Sequence, residues 1–139
     1  HATYNAGGVA GMQVLKMLKE EGVNPNKFVA AHCDLEENLK FHLEIAQQGA
    51  WVEYENLRQE RAEKILGLIQ FMAKNGFEDQ LLVSQDSGWY HVGEKGGGNI
   101  RGYSYLVKGF IPFMLRNGLS QELINKILIR NPARAFQIE

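Results

Sequence analysis

The sequence predicts an α/β fold in which parallel strands alternate with helices, and three observations support this prediction. Short apolar runs recur along the chain, longer stretches with helical periodicity separate them, and glycine or proline turns lie between the two kinds of segment. The predicted order is helix, strand, helix, strand, helix, strand, helix, helix. Such alternation is typical of β-α-β units with a parallel sheet.

The first helix covers residues 7–21, where apolar and charged side chains fall on opposite faces, and Gly22 ends it. Residues 28–31 form a strand that leads to His32. Asp34 is a suitable N-cap for a second helix, which extends to about residue 48. His42 lies inside this helix, and we interpret it as a solvated or hydrogen-bonded side chain rather than a ligand.

Residues 50–54 form the second strand, and residues 61–74 form a third amphipathic helix that ends at Gly76. The third strand covers residues 80–84 and is followed by a long loop. A helix over residues 105–116 has to accommodate Pro112, and Ser120 caps the last helix. That helix is predicted to end at Asn131, because a residue before proline avoids helical geometry.

The composition is that of one ordinary globular domain, which we assign to residues 1–139 as a whole. Hydrophobic residues make up 45% of the chain and charged residues 22%. The 15 basic residues are interleaved with 16 acidic ones, which argues against nucleic acid as a partner. No apolar run reaches the ~20 residues that span a bilayer, so no membrane contact is expected.

Cys33 is the only cysteine in the sequence, so it forms no internal disulfide. This cysteine usage fits a reducing compartment, and we expect a cytoplasmic location. The thiol has two interpretations, a reactive group next to a candidate ligand or a small buried residue at a strand end, and the second is favoured.

Candidate site residues follow the predicted strands. Asp86 comes just after the third strand, His32 comes just after the first strand, and His1 precedes the first helix. Because α/β folds place their chemistry at the carboxyl ends of the strands, Asp86 is the first candidate for a catalytic residue. Two histidines and an aspartate also form a plausible set of metal ligands.

Three segments resemble the phosphotriesterase-like family, which are metal-dependent hydrolases of the amidohydrolase superfamily built on a (β/α)8 barrel. The segments read HATYNAGGVAGMQVLKMLKEEGVNPNKFVAAHCD, LLVSQDSGWY and GLSQELINKILIRNPARAFQI. Their order and spacing are similar to the family's end of strand five through strand six, its strand eight and its closing helix. The resemblance implies the C-terminal part of a TIM barrel, strands 6 to 8 with their helices.

The resemblance also implies roles for individual residues. His1 and His32 match the histidines that bind the more exposed metal of a binuclear pair. Asp86 matches the catalytic aspartate that binds the buried metal and takes a proton from the bridging hydroxide. The expected cofactor is Zn²⁺, as two divalent ions in the full-length protein, although Mn²⁺ or Co²⁺ would also suit these ligands.

Further residues are expected around the metal and the substrate. Glu55 and Asp34 are expected to support the ligands through hydrogen bonds. Trp89 and Tyr90 would wall an apolar pocket, and Arg101 would bind a carboxylate or phosphate. Loop packing is the alternative interpretation for these three residues.

The expected function is hydrolysis of a small ester, lactone or phosphoester. The best-studied family members carry a second acid and a relay histidine where this sequence has Leu35 and Asn56. The absence of this relay favours a lactone or carboxylic ester over a synthetic phosphotriester.

An inactive half barrel is the alternative. A complete barrel takes ~250 residues, so the resemblance implies that the His-x-His pair of strand one and the bridging lysine of strand four are missing. The edge strands of a half barrel favour pairing with a second copy, which would give a homodimer.

Overall fold

A three-stranded parallel sheet lies at the centre of the structure, a computed structural model that describes residues 7–138. The strands lie in the order β1, β2, β3, with Val29 opposite Trp51 and Tyr54 opposite Val83. Helices connect successive strands, as parallel neighbours require. These elements are β1 (Val29–Ala30), α2 (Leu39–Gln47), β2 (Trp51–Tyr54), α3 (Ala62–Lys74) and β3 (Leu81–Val83). The predicted α/β class with parallel strands is therefore confirmed.

Further helices flank the sheet. Helix α1 precedes β1, and three short helices follow the long loop after β3. Their bounds are α1 (Gly7–Glu20), α4 (Ile111–Arg116), α5 (Gln121–Asn125) and α6 (Asn131–Ala135). Within residues 7–138, no helix has the length and apolar character that crossing a bilayer requires.

The core lies between the sheet and its helices, and the strands are buried as expected for a parallel sheet. Val52, Leu81 and Tyr54 are fully inaccessible to solvent. The Tyr54 hydroxyl lies 2.8 Å from Nδ1 of His42, and Nε2 of His42 lies 3.3 Å from the carbonyl oxygen of Glu36. The prediction that His42 is a hydrogen-bonded helix residue is thus confirmed, although the side chain is buried rather than solvated.

The predicted start of the second helix is wrong. Asp34 does not cap it, because the Asp34 carboxylate instead accepts hydrogen bonds from the backbone of Glu55 and from Arg61. The chain makes one 3₁₀ turn at Cys33–Leu35 and begins α2 at Leu39. Asn38 is the N-cap, and its side chain accepts from the backbone N–H of Lys40 at 3.2 Å.

The predicted end of the last helix at Asn131 is also wrong, because the chain continues as α6 to Ala135. A π-helical turn, Lys126–Arg130, comes just before Pro132, and another, Leu106–Phe110, comes just before Pro112. A proline ring inside a regular helix clashes with the carbonyl four residues earlier. The wider π turn moves that carbonyl away, so each proline lies at the start of a new helix without ending the helical path.

Candidate active site

Polar side chains from the ends of all three strands meet at one edge of the sheet. His32 follows β1, Glu55 directly follows β2, and Asp86 follows β3. Because the strands are parallel neighbours, their carboxyl ends face the same side of the sheet. The structure therefore brings together His32, Glu55 and Asp86.

His32 and Asp86 share an unusual backbone conformation. Their φ angles are 59° and 44°, and within the described chain they are the only residues other than glycine with positive φ. Such a conformation costs a non-glycine residue about 1–3 kcal/mol and concentrates at functional sites. The two metal ligands predicted within the described residues are thus the two strained positions.

Glu55 contacts the imidazole of His32. Its carboxylate faces Nδ1 of His32, and both side chains are only 12% exposed. Burial, together with the nearby charges of Glu53 and Asp86, raises the pKa of Glu55 to about 7. The contact fixes the imidazole orientation and makes Nε2 the nitrogen suited to bind a metal. The position of Glu55 fits its predicted supporting role, which remains a prediction.

Asp34 links the loops after β1 and β2. Its fully buried carboxylate accepts from the backbone N–H of Glu55 at 3.1 Å and from Nη2 of Arg61 at 2.9 Å. Nη2 of Arg61 also donates to the backbone carbonyl of Asp34 at 3.1 Å. A buried ion pair with these added hydrogen bonds holds Glu55 next to His32.

Arg101 and Trp89 hold the backbone of Asp86. Nη2 of Arg101 donates to the carbonyl oxygens of Gln85 and Asp86, and its Nε donates to Oγ of Ser87 at 3.0 Å. The indole N–H of Trp89 donates to the same Asp86 carbonyl at 3.0 Å. The hydrogen bonds that these two side chains make to Asp86 go to its backbone carbonyl, and among residues 7–138 no side chain donates to its carboxylate.

A cavity of about 550 Å³ opens beside Asp86. Trp89 and the three arginines Arg58, Arg61 and Arg101 line it. Tyr90 is 65% exposed and does not line the cavity, because its ring instead lies against Gly97, whose lack of a side chain leaves room for it. The predicted substrate roles of Trp89, Tyr90 and Arg101 remain predictions.

Metal binding remains a prediction. His1 lies outside the described residues. In the part of the chain that the structure covers, no group of three or more histidine, cysteine, aspartate or glutamate side chains is arranged to hold a metal ion. His32 and Asp86 are therefore two candidate ligands without a third in residues 7–138.

Sequence reasoning missed Glu53 and Arg61. The Glu53 carboxylate accepts from Oγ of Ser84 at 2.9 Å, and burial raises its pKa. Its signal was a charged residue inside an otherwise apolar strand. Arg61 gave no such signal, because its partner Asp34 is 27 residues away.

Comparison with known proteins identifies the family. The phosphotriesterase family profile matches residues 1–136. The chain belongs to the phosphotriesterase family. The resemblance seen in the sequence is thus confirmed.

Three relatives of this phosphotriesterase family chain show the extent of the similarity. Phosphotriesterase homology protein of Escherichia coli is 28% identical over an alignment of 140 positions, which covers 98% of this chain and 47% of the relative. N-acetyltaurine hydrolase of Mus musculus is 32% identical over an alignment of 137 positions, which covers 88% of this chain and 39% of the relative. A lactonase of Listeria monocytogenes shares the fold, with a TM-score of 0.80 at 24% identity over 95% of this chain and 42% of that chain.

A crystal structure of the Escherichia coli protein, with phosphate in its active site, superposes with a TM-score of 0.77 at 27% identity. The match covers 94% of this chain and 45% of that structure. The chain thus spans about half the length of the relatives that it matches, or less.

Proposed function

We propose that this chain is the C-terminal part, strands 6 to 8, of a metal-dependent hydrolase barrel. Its reaction would be the hydrolysis of an ester, lactone or phosphoester. The observation that carries this proposal is the pair His32 and Asp86, which follow β1 and β3 at the same edge of one sheet and share the strained backbone conformation. Strain at the ends of two strands of one sheet supports a functional rather than a purely structural role.

The side chains present suit a divalent metal. An imidazole whose Nδ1 faces a carboxylate is the usual form of a histidine ligand, and His32 with Glu55 has this form. A neutral imidazole and a carboxylate are suitable ligands for Zn²⁺, Mn²⁺ or Co²⁺. The remaining ligands would be His1 and residues from the part of the relatives that this chain does not span. Bound metal would supply Lewis acidity and a water of lowered pKa.

The chain's own residues would orient the reaction. The Asp86 carboxylate would accept the proton of the attacking water, since no described side chain donates to it. Arg101 and Trp89 would keep Asp86 in place through its carbonyl. Glu55 and Asp34 would hold His32 from behind, and the face of Trp89 that lines the cavity would contact the apolar part of a substrate.

The relatives support hydrolysis as the class of reaction. They include an N-acetyltaurine hydrolase, so cleavage of another acyl bond is a second candidate for this chain. The inactive half barrel remains the alternative from a different class.

The experiment compares metal content and turnover in the full-length protein. We expect His32→Asn and Asp86→Asn to lose bound metal, measured by elemental analysis, and to lower ester, lactone and phosphoester hydrolysis at least 100-fold. Glu122→Gln is the control, because that side chain is 75% exposed and lies on α5. If both variants keep the metal content and the activity of the wild type, the metal-site assignment is wrong. If the wild-type protein itself holds no metal and hydrolyses nothing, the proposed hydrolase function is wrong.

A further inference from the structure

The cavity beside Asp86 carries more positive than negative charge. Arg58, Arg61 and Arg101 line it, and Asp86 is the one acidic residue among the lining residues. A neutral ester or lactone needs no such excess of positive charge. The excess positive charge of the arginines therefore favours a substrate that carries negative charge.

The side chains of two of the three arginines, Arg61 and Arg101, already pair with other groups of the protein. Arg61 pairs with the buried carboxylate of Asp34, which offsets its charge. The Nε and Nη2 of Arg101 donate to carbonyl and hydroxyl oxygens. Because these acceptors are uncharged, they do not offset the positive charge that Arg101 contributes to the cavity. The Nε and Nη2 groups of Arg101 remain engaged in these hydrogen bonds.

Arg58 differs from both. Its Nη1 donates to Oδ1 of Asn56 at 2.8 Å, which holds the side chain at the cavity. The nearest carboxylate is that of Glu60, 3.8 Å from Nε of Arg58, and that side chain is 76% exposed. An exposed contact of this length offsets little of the charge. Arg58 therefore presents at the cavity a guanidinium whose charge is little offset, and this guanidinium can bind an oxyanion through two parallel hydrogen bonds.

We propose that the substrate carries an oxyanion group apart from the bond that is cleaved, and that Arg58 binds this group. The shared chemistry is that of a carboxylate, a sulfonate or a phosphate. Asp86 repels the same group, so the oxyanion lies toward Arg58 and the scissile bond lies toward Asp86. Asn99 and His91 also line the cavity and offer further polar contacts. This inference rests on the proposed hydrolase function of the same cavity.

The test uses matched 4-nitrophenyl esters with the full-length, metal-loaded protein. One ester has a neutral pentanoyl group, and the others end in a carboxylate, a sulfonate or a phosphate at similar length. We expect kcat/KM to be at least tenfold higher for one charged ester than for the neutral one. In Arg58→Gln this ratio falls at least tenfold, mainly through KM, and Arg58→Lys restores part of it. Arg130→Gln is the matched control, since Arg130 pairs with Glu122 on the helical surface, and it keeps the ratio within twofold.

Three outcomes separate this inference from the function on which it rests. If the protein hydrolyses the neutral ester equally well, or if Arg58→Gln leaves the ratio unchanged, the inference is wrong and the hydrolase function stands. If no ester is hydrolysed, the binding of ethanesulfonate is measured by calorimetry. A sulfonate is a poor metal ligand, so its binding would report on the oxyanion site rather than on the metal. Binding that weakens at least tenfold in Arg58→Gln supports the oxyanion site despite the failed hydrolase function. Absent or unchanged binding overturns the inference.

Discussion

The guanidinium of Arg101 donates a hydrogen bond to the backbone carbonyl of Asp86, whose φ is 44°. Arg101 lies 15 residues further along the chain, so the loop returns to its own starting point. The backbone carbonyl of Arg101 also accepts a hydrogen bond from the N–H of Gly88 at 3.0 Å. Arg101 thus holds the strained residue that we propose as the catalytic carboxylate, and it does so through the main chain.

Replacing Arg101 by methionine should therefore lower both stability and turnover. The carbonyls of Gln85 and Asp86 lose a charged donor, which costs about 1.5–3 kcal/mol for such a hydrogen bond. We expect the free energy of unfolding, measured in urea, to fall by about that amount. We also expect kcat to fall at least tenfold with a smaller change in KM. The substitution would disturb the orientation of Asp86, whereas the contacts of the substrate would stay in place.

Arg116→Met is the control for this change. Arg116 is an exposed residue at the end of α4, so the same substitution there should change stability by less than about 0.5 kcal/mol. Equal losses in the two variants would contradict the role given to Arg101. A rise in KM without a fall in kcat would instead favour direct substrate binding by Arg101.

His42 makes stability depend on pH. Burial lowers the pKa of this fully buried imidazole below its ordinary value, although the contact with the Glu36 carbonyl raises the pKa in part. Since a carbonyl only accepts, Nε2 carries the proton and Nδ1 accepts from the Tyr54 hydroxyl. The unfolded state binds a proton near pH ~6.5 and the folded state binds it only at lower pH. Stability should therefore fall as the pH drops below about 6.5.

The measurement is the free energy of unfolding in urea at pH 7.5 and at pH 5.5. We expect His42 to account for a loss of at most about 1.4 kcal/mol between these pH values, since one proton taken up over one pH unit below pH ~6.5 corresponds to ~1.4 kcal/mol. In His42→Gln this part of the pH dependence should disappear. A variant with the same pH dependence as the wild type would show that other groups cause it.

Cys33 should be unreactive in the folded protein. Burial raises the pKa of its thiol to about 12, and Sγ lies 3.1 Å from the carbonyl oxygen of Ala30. A thiol needs its thiolate form to react, so labelling by a disulfide reagent at pH 8 should be at least 100-fold slower in buffer than in denaturing urea. Equal rates would mean that the residue is accessible, as in the reactive interpretation of the sequence.

Local patterns predicted the strands, their parallel alternation with helices and the positions of His32 and Asp86 at the strand ends. These features depend on short-range periodicity and on turn residues, which the sequence shows directly. The true start of α2 at Leu39 was not predictable in this way. It depends on the bonds of Asp34 to Glu55 and Arg61, which lie 21 and 27 residues away.

The same limit applies to the site. The residue types of Arg101 and Trp89 suggested substrate contacts, which remain predictions, but they gave no sign that both side chains donate to the Asp86 carbonyl. The continuation of the last helix past Asn131 was missed for a related reason. A proline normally ends a helix, and the π turn before Pro132 has no signature in local propensity.

Asn131 joins the last helix to the sheet. Its side chain is fully buried, and Nδ2 donates to the carbonyls of Glu78 and Leu81 at 2.7 Å each. Asn131→Ala would leave two carbonyls near the start of β3 without this donor. Because an unsatisfied buried group costs about 1–3 kcal/mol, we expect a loss of about 2–4 kcal/mol in the free energy of unfolding.

Asn75→Ala is the matched control for that loss. The Asn75 side chain also donates to a carbonyl, that of Phe71 at 2.8 Å, but it lies at the exposed end of α3. Water replaces the lost donor there, so the cost should stay below about 1 kcal/mol. If the two variants lose the same stability in urea, burial does not set the strength of the Asn131 anchor. A loss confined to Asn131→Ala would show that the residue before Pro132 holds the closing helix on the sheet.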